Sequence, residues 1–291
     1  MKIFYSEELT WEYDYIINTC LKHVKNLDIE LFNIKNVNLL SDRKNIENNI
    51  FIITSNCYKL DNVINVVKNL NPVIIFHFSD EFGNHPDWII LQNYTKLLFR
   101  QHVHKNYNYA KNNIQIPLGY VTKFLSENIP IKKMSERTLN CSFVGSKKQD
   151  RMDMYNNFTN NMDKTHIVFT QNTWKLNTLE YSPQDIFNTY NNSIFVLVGR
   201  GQLKLDCFRI YEGILAGAIP VVVGSIDEIN FTFNYNNDKP NLIYCRTWSD
   251  AVETCKKLLN DFENLQKIQE SLLKWWNNQM NIIYKKIAEI I

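Results

Sequence analysis

Short, continuous apolar runs alternate with amphipathic stretches along the whole chain. In the first half, Ile3–Tyr5, Ile29–Ile34, Ile50–Thr54, Val73–Phe78 and Lys96–Arg100 read as strands; in the second half, Cys141–Val144, His166–Phe169, Ile194–Val198, Ile219–Val223 and Leu242–Tyr244 do so. Between them the period lengthens. Tyr13, Ile16, Ile17, Cys20, Leu21 and Val24 recur at helical spacing, with Thr10 placed to cap a helix reaching about Lys25. Asp61–Leu70, Asp150–Phe158, Ser182–Asn191, Cys207–Ala216 and Ser249–Asp261 are further helices, and Glu263–Ile291 is a long terminal one carrying Trp275, Trp276, Met280, Ile283 and Tyr284. Strands that are apolar throughout, rather than at alternate positions, belong to a parallel sheet covered on both faces. The expected class is α/β, with two Rossmann-like halves facing a cleft and a ligand held beyond the carboxyl ends of the strands.

The alternation loses regularity over Pro117–Arg137, which holds Pro117, Gly119 and Pro130 and turns polar after Phe124. The expected division is therefore a first domain over 1–135, a second over 136–272, and a terminal helix over 273–291 packing back across to the first. At 291 residues the chain is long enough for two cores.

Composition narrows the function classes. The formal net charge is +2, with acids and bases mixed along the chain, so no basic stripe marks a nucleic-acid partner. No apolar run approaches the roughly 20 residues that span a bilayer, and the start, MKIFYSEELT, lacks a basic segment followed by an apolar one. A cytoplasmic location is expected, with the six scattered cysteines as reduced thiols. Asparagine is abundant, so the sequons at Asn93, Asn157 and Asn230 carry no weight.

The segment Cys207–Gly224, CFRIYEGILAGAIPVVVG, is the densest in chemistry. Phe208, Tyr211 and Leu215 share a helix face expected to pack on the sheet, while Arg209 and Glu212, three residues apart, are expected to project together from another. Gly213 and Gly217 keep the helix thin, and Gly217 is placed to end it in the left-handed region. Pro220 opens the buried strand, a position where proline is tolerated. By spacing alone, Arg209 and Glu212 are either an intrahelical ion pair or a site for a diphosphate and ribose hydroxyls. Two more strand ends offer phosphate chemistry. Gly145 and Ser146 precede a helix whose amino terminus points its N–H groups outward, with Lys147 and Arg151 adding charge. Gly199-Arg200-Gly201 follows Ile194–Val198, where glycines allow close backbone approach. Thr170–Trp174 follows a third strand end and is placed to pack on a nucleobase.

The Arg209, Glu212 and Ala216-Gly217-Ala218-Ile219-Pro220-Val221 pattern resembles the nucleotide-sugar-binding segment of exostosin-type glycosyltransferases and their ribitol-xylosyltransferase-like relatives. Weaker echoes are Phe143-Val144-Gly145-Ser146, Phe76 to Glu81, Leu98-Phe99-Arg100 and Ile116 to Tyr120. The resemblance implies a GT-B fold, an acceptor-side first domain, a donor-side second domain and inverting transfer. It implies a nucleoside-diphosphate sugar as donor, UDP-sugar favoured over GDP-sugar, and no tightly bound cofactor; no metal is expected, since the sequence carries no motif for one. The acceptor is expected to be a hydroxyl of a glycan or glycoconjugate. The resemblance and the strand-end readings together give Glu212, Arg209, Gly145, Ser146, Lys147, Arg151, Gly199, Arg200, Gly201, Gly217 and Thr170 as the expected donor site.

An inverting transferase draws a proton from the acceptor hydroxyl, and Asp80 or Glu81, at the end of the buried strand holding His77, is the expected base. The alternative for Ser79 and Asp80 is turn capping. His102 and His104 match no metal-ligand spacing with Asp80, and no Asp-x-Asp occurs. Two further readings stay open: a catalytically silent GT-B protein that binds nucleotide or glycan, and a fucosyltransferase using GDP-fucose. A dinucleotide oxidoreductase is disfavoured because the glycine fingerprint is absent.

Overall fold

The apolar runs of the first half all become strands of one parallel sheet in the computed structural model. It describes residues 1–43, 46–55, 59–78, 80–171, 180–235 and 237–291; Cys57, Ser79 and Asn172–Trp174 of the sequence reading lie outside them. The strands are β1 (Lys2–Ser6), β2 (Asp28–Phe32), β3 (Asn49–Thr54), β4 (Ile74–Phe78), β5 (Leu97–Arg100) and β6 (Asn113–Gln115), in the order β2-β1-β3-β4-β5-β6. Every residue of β3, β4 and β5 is buried, as a sheet covered on both faces requires. Helix α1 (Leu60–Leu70) closes one face with Val63, Val66, Val67 and Leu70, which join Phe4, Phe51, Ile75 and Leu98 in one apolar cluster. Asn71 ends α1 in the left-handed region (φ 48°), where asparagine is among the few residues tolerated.

The helix expected from Thr10 to Lys25 is shorter. It starts at Tyr13, with the Ile16 N–H donating to the Glu12 carbonyl at 2.9 Å, and becomes a π-helix over Tyr15–Cys20, marked by the Leu21 N–H donating to the Ile16 carbonyl at 2.9 Å. Tyr15, Ile16 and Cys20 are buried. The Tyr15 hydroxyl donates to the Pro117 carbonyl at 2.8 Å. Beyond Leu21 only Val24 offers an apolar side chain among Lys22, His23 and Lys25, so there is too little to bury for the helix to continue.

The second half folds as a five-stranded parallel sheet, β11-β10-β9-β7-β8, from β7 (Leu139–Ser146), β8 (Thr165–Thr170), β9 (Ser193–Val198), β10 (Ile219–Val223) and β11 (Ile243–Cys245). Its helices are α2 (Gln149–Asn161), α3 (Pro183–Asn191), α4 (Phe208–Leu215), α5 (Ile226–Thr232) and α6 (Trp248–Leu258). The long α7 (Phe262–Ala288) follows. Two compact units result: Met1–Pro117 with Gln279–Ile291, and Leu118–Asn278. The irregular stretch after Pro117 goes with the second unit because that unit satisfies its backbone. Lys132 N–H donates to Asn191 Oδ1 at 2.9 Å, and Val121 N–H donates to Glu212 Oε1 at 3.3 Å. Within α7, Trp275 and Trp276 pack on Tyr235 and Tyr211 of the second unit, whereas Tyr284 meets His23 edge-on in the first. Cys20, Cys141, Cys207, Cys245 and Cys255 are buried free thiols. No helix among the described residues is long and apolar enough to cross a membrane.

Candidate functional site

In the second sheet the chain leaves β7 for β8 on one side and then returns to β9 on the other. Strand order reverses at that point, so the connections diverge and leave a crevice beyond the carboxyl ends of β7 and β9. β7 ends in Gly145-Ser146 and β9 is followed by Gly199. Both glycines make room for arginines. A Cβ at Gly145 would lie 2.0 Å from a terminal nitrogen of Arg209, and one at Gly199 would lie 2.6 Å from Cγ of Arg151. The glycines predicted to let a ligand approach the backbone thus admit guanidinium groups instead.

Arg209 starts α4 and donates from Nε to the Val144 carbonyl at 2.8 Å. Arg151, in the first turn of α2 and 1% exposed, donates to the Ser146 carbonyl at 2.6 Å and to Ser146 Oγ at 2.9 Å. Its other terminal nitrogen takes the Arg200 carbonyl, so it spans the crevice from β7 to β9. Both guanidinium carbons sit over the Phe143 ring, at 5.3 Å for Arg151 and 5.0 Å for Arg209. Among the described residues neither arginine forms an ion pair. Burial, followed by the charge of Arg209, pulls Arg151 down to about 10. Two cations held together on one aromatic face, neither of them in an ion pair among the described residues, form a preorganised seat for a multiply charged anion. Tyr190 adds a fully buried hydroxyl whose proton is held by burial, with Arg209 and Glu212 the nearest charges acting on it.

Glu212 departs from the expected free helix face. It is 4% exposed. The residues that face inward from α4 are Ile210, Tyr211, Glu212 and Ile214, with Phe208 and Leu215 only half-buried. The carboxyl accepts from the Val121 amide, and burial pushes it up to about 7 against the pull of Arg209 and of that amide. Its folded value is thus raised above the unfolded one of about 4.3. The associated stability is present below about pH 4.3 and is lost as pH rises through about 7. Comparing wild type with Glu212→Gln in urea from pH 5 to pH 8 should show the wild type losing up to about 3 kcal/mol more. Parallel pH curves would contradict the buried, proton-binding Glu212.

The other expected donor residues scatter. Arg200 is bidentate with Glu228. Gly201 closes a turn with Lys204 (2.9 Å) and its carbonyl takes Lys148 Nζ. Lys147 is exposed between β7 and α2, and Thr170 pairs with Ser146 at the carboxyl edge. Gly217 sits at the opposite edge, past the carboxyl end of α4, with φ 72°. A Cβ there would lie 2.3 Å from Ile131 Cγ2 and 2.6 Å from Arg137. Gly217 therefore serves the α4–β10 turn. Gly217→Ala should lower stability by about 1–3 kcal/mol, and an unchanged urea midpoint would contradict this.

In the first unit Asp80 is not placed as a free base. It lies in the left-handed region (φ 68°) and is 3% exposed. Its Oδ2 accepts from Arg100 at 2.5 Å and from the Tyr107 hydroxyl at 2.9 Å, and Oδ1 accepts from the His85 amide. Arg100 also donates to His77 Nδ1 at 2.7 Å. Burial and then the Arg100 charge hold His77 well below its ordinary value, so it is neutral. His104 Nε2 donates to the Asp80 carbonyl at 2.7 Å. Glu81, next along, is half-buried. Among the described residues no three His, Cys, Asp or Glu gather as metal ligands.

Sequence reading found Arg151, Arg209, Gly145, Ser146 and Gly199 but not Phe143 as the platform between the cations, nor Tyr190. Phe143 lay in the quoted Phe-Val-Gly-Ser string. Nothing in the sequence around Tyr190 marks it.

Comparison with known proteins fits this geometry. Solved structures with the same chain path include an α1,3-fucosyltransferase (TM-score 0.51, 12% identity, 99% of this chain and 90% of that one). Another is Anabaena Alr3699/HepE in complex with UDP and glucose (TM-score 0.56, 9% identity, 99% and 98%). A third is T4 phage BGT in complex with its UDP-glucose substrate (TM-score 0.52, 14% identity, 99% and 98%). At these identities the likeness establishes the GT-B fold expected from the sequence. No curated protein matches the chain by sequence. The profile of the RXYLT1 C-terminal domain matches residues 122–291, more than half of the chain and all of the crevice just described. The resemblance carried by Arg209, Glu212 and the Gly217–Val221 turn is thereby borne out, and the chain belongs to the RXYLT1 C-terminal domain family of glycosyltransferases.

Proposed function

We propose that the protein transfers a sugar from a UDP-sugar to a hydroxyl of a glycan or glycoconjugate, with inversion at the anomeric carbon. The observation that carries this reading is the Arg151–Arg209 pair on Phe143. Two cations on one aromatic face, in no ion pair among the described residues, are suited to the diphosphate of the donor and to the charge that grows on it as the glycosidic bond breaks. Donors aimed at developing charge are commonly worth several kcal/mol in the transition state. Ser146 and Thr170, at neighbouring strand ends, and Glu212, one turn into α4, are the polar groups offered to the rest of the nucleotide. The preference for uridine is supported by the neighbours solved with UDP and UDP-glucose. Inversion is supported by the family resemblance.

The test is a screen of UDP- and GDP-sugars with glycan acceptors, reading the product's anomeric configuration by NMR. Transfer from a UDP-sugar with the opposite anomer in the product is expected. Retention of configuration, or exclusive use of GDP-fucose, would overturn the respective part of the reading.

A further inference from the structure

A second cleft opens within the Leu118–Asn278 unit, beyond the carboxyl ends of β9 and β10. Its volume is about 520 Å³, inside the roughly 300–1,000 Å³ of small-molecule sites. Its walls are α2 and the start of α6, which meet through Phe158 and Trp248, edge-on with ring centroids 6.2 Å apart. This is not the face that carries Arg209. The crossover β7–α2–β8 runs one way along the sheet and β9–α4–β10 runs the other. Right-handed crossovers running in opposite directions place their helices on opposite faces. Arg209 projects from α4, whereas α6 packs with α2 on the other side.

Asp150, Asp153 and Asn157 recur along α2 at i, i+3 and i+7, so they form one stripe beside buried Met154 and Phe158. Two of the charged groups in the lining are already held. Asp150 Oδ2 accepts from the Arg200 N–H at 2.9 Å, and Glu228 holds the Arg200 guanidinium at 2.7 Å. Asn157 is tied to this wall, its Nδ2 donating to the Asp153 carbonyl at 2.8 Å. The side chains of Asp153 and, from the end of β11, Arg246 are exposed. Among the described residues neither belongs to an ion pair. Ser249 and Trp248 extend the lining from α6.

The lining thus carries two carboxylates and two guanidinium groups, and the two of these that are in no ion pair have opposite sign. A diphosphate entering it would meet Asp153 as a like charge, and a metal ion would meet Arg246 as one. A polyhydroxylated ring meets neither penalty, because each hydroxyl both donates and accepts. Asp153 accepts, Arg246 donates, the Asn157 amide and the Ser249 hydroxyl do both, and Trp248 supplies apolar surface for the C–H face of the ring. We propose that this cleft binds a neutral pyranose unit of a glycan, apart from the diphosphate seat, with Asp153 accepting from one ring hydroxyl and Arg246 donating to another. This binding goes beyond the transferase reading and does not depend on it.

The test titrates the full chain with malto-, cello-, manno- and xylotriose by saturation-transfer NMR, with a triuronate and UDP as separate arms. At least one neutral triose should bind the wild type. Asp153→Ala and Arg246→Ala should each weaken that binding about 10-fold or more, as loss of a charge-assisted hydrogen bond does, and leave UDP affinity unchanged. Both residues are exposed, so the fold tolerates either change; should one variant not fold, the other decides. Silence toward all four neutral trioses, preference for the triuronate, or unchanged triose affinity in a folded variant overturns the proposal. A fall in UDP affinity in both variants overturns it too, since the cleft then belongs to the nucleotide. A wild type that binds a triose but no UDP leaves the cleft as proposed and sinks the donor-seat reading instead.

Discussion

Arg209→Ala is expected to reduce transfer by about 10²–10³-fold while leaving the fold intact. The magnitude follows from removing one preorganised cation from a developing anion, a loss of about 2.7–4 kcal/mol in comparable sites. The fold should survive because Arg209 is held by a hydrogen bond from Nε to the Val144 carbonyl and by no ion pair among the described residues. Removing it also relieves its repulsion of Arg151, one of the causes that hold Arg151 down. That relief offsets the lost attraction for the Glu212 carboxyl, so free enzyme should stay within about 1 kcal/mol of wild type in urea. A steady-state assay with saturating acceptor checks the first point, and a denaturation midpoint checks the second. Arg209→Lys should recover little, because an ammonium lacks the planar fork of donors that meets two phosphate oxygens side by side.

Arg100→Met should be the most damaging single change to stability, at about 3–5 kcal/mol. Arg100 and Asp80 both have fully buried side chains, and the guanidinium also satisfies His77 and the His102 carbonyl. Deleting it leaves a carboxylate in the interior with only the Tyr107 hydroxyl, the His85 amide and a partial contact from His104. The double change Arg100→Met, Asp80→Asn removes both charges, and asparagine tolerates the left-handed backbone at position 80. It should regain most of the lost stability, and a urea double-mutant cycle measures the coupling. Such a double variant should also keep transfer activity, since Asp80 is a structural partner of Arg100. Loss of transfer in a well-folded double variant would restore Asp80 as the base.

Much of the fold was legible in the sequence because parallel strands buried on both faces leave continuous apolar runs. Ile50–Thr54, Ile194–Val198 and Ile219–Val223 needed only that signal. The strand Asn113–Gln115 was not legible, since Ile114 is its sole apolar residue and it pairs only along the edge of β5. The crevice proposed for the donor was half legible. Arg209 and Glu212 stand out by motif, and the structure then sends them to different neighbours. Sequence spacing predicts which helix face a residue occupies, but not that Gly145 leaves room for a guanidinium 64 residues downstream.

Asp80 shows the same limit. His77 and Arg100 stand opposite each other in the β4–β5 register, and only that pairing reveals why the carboxylate beside His77 is occupied.

The central claim is that Arg151 and Arg209 form the diphosphate seat of a sugar-nucleotide transferase. Titration calorimetry of UDP and uridine against wild type and Arg209→Ala tests it most directly. A charge-assisted contact is worth about 1.5–3 kcal/mol, so UDP should bind Arg209→Ala about 10–100-fold more weakly than wild type. Uridine, lacking the diphosphate, should bind both proteins with equal, low affinity. Equal UDP affinity in the two proteins would contradict the claim.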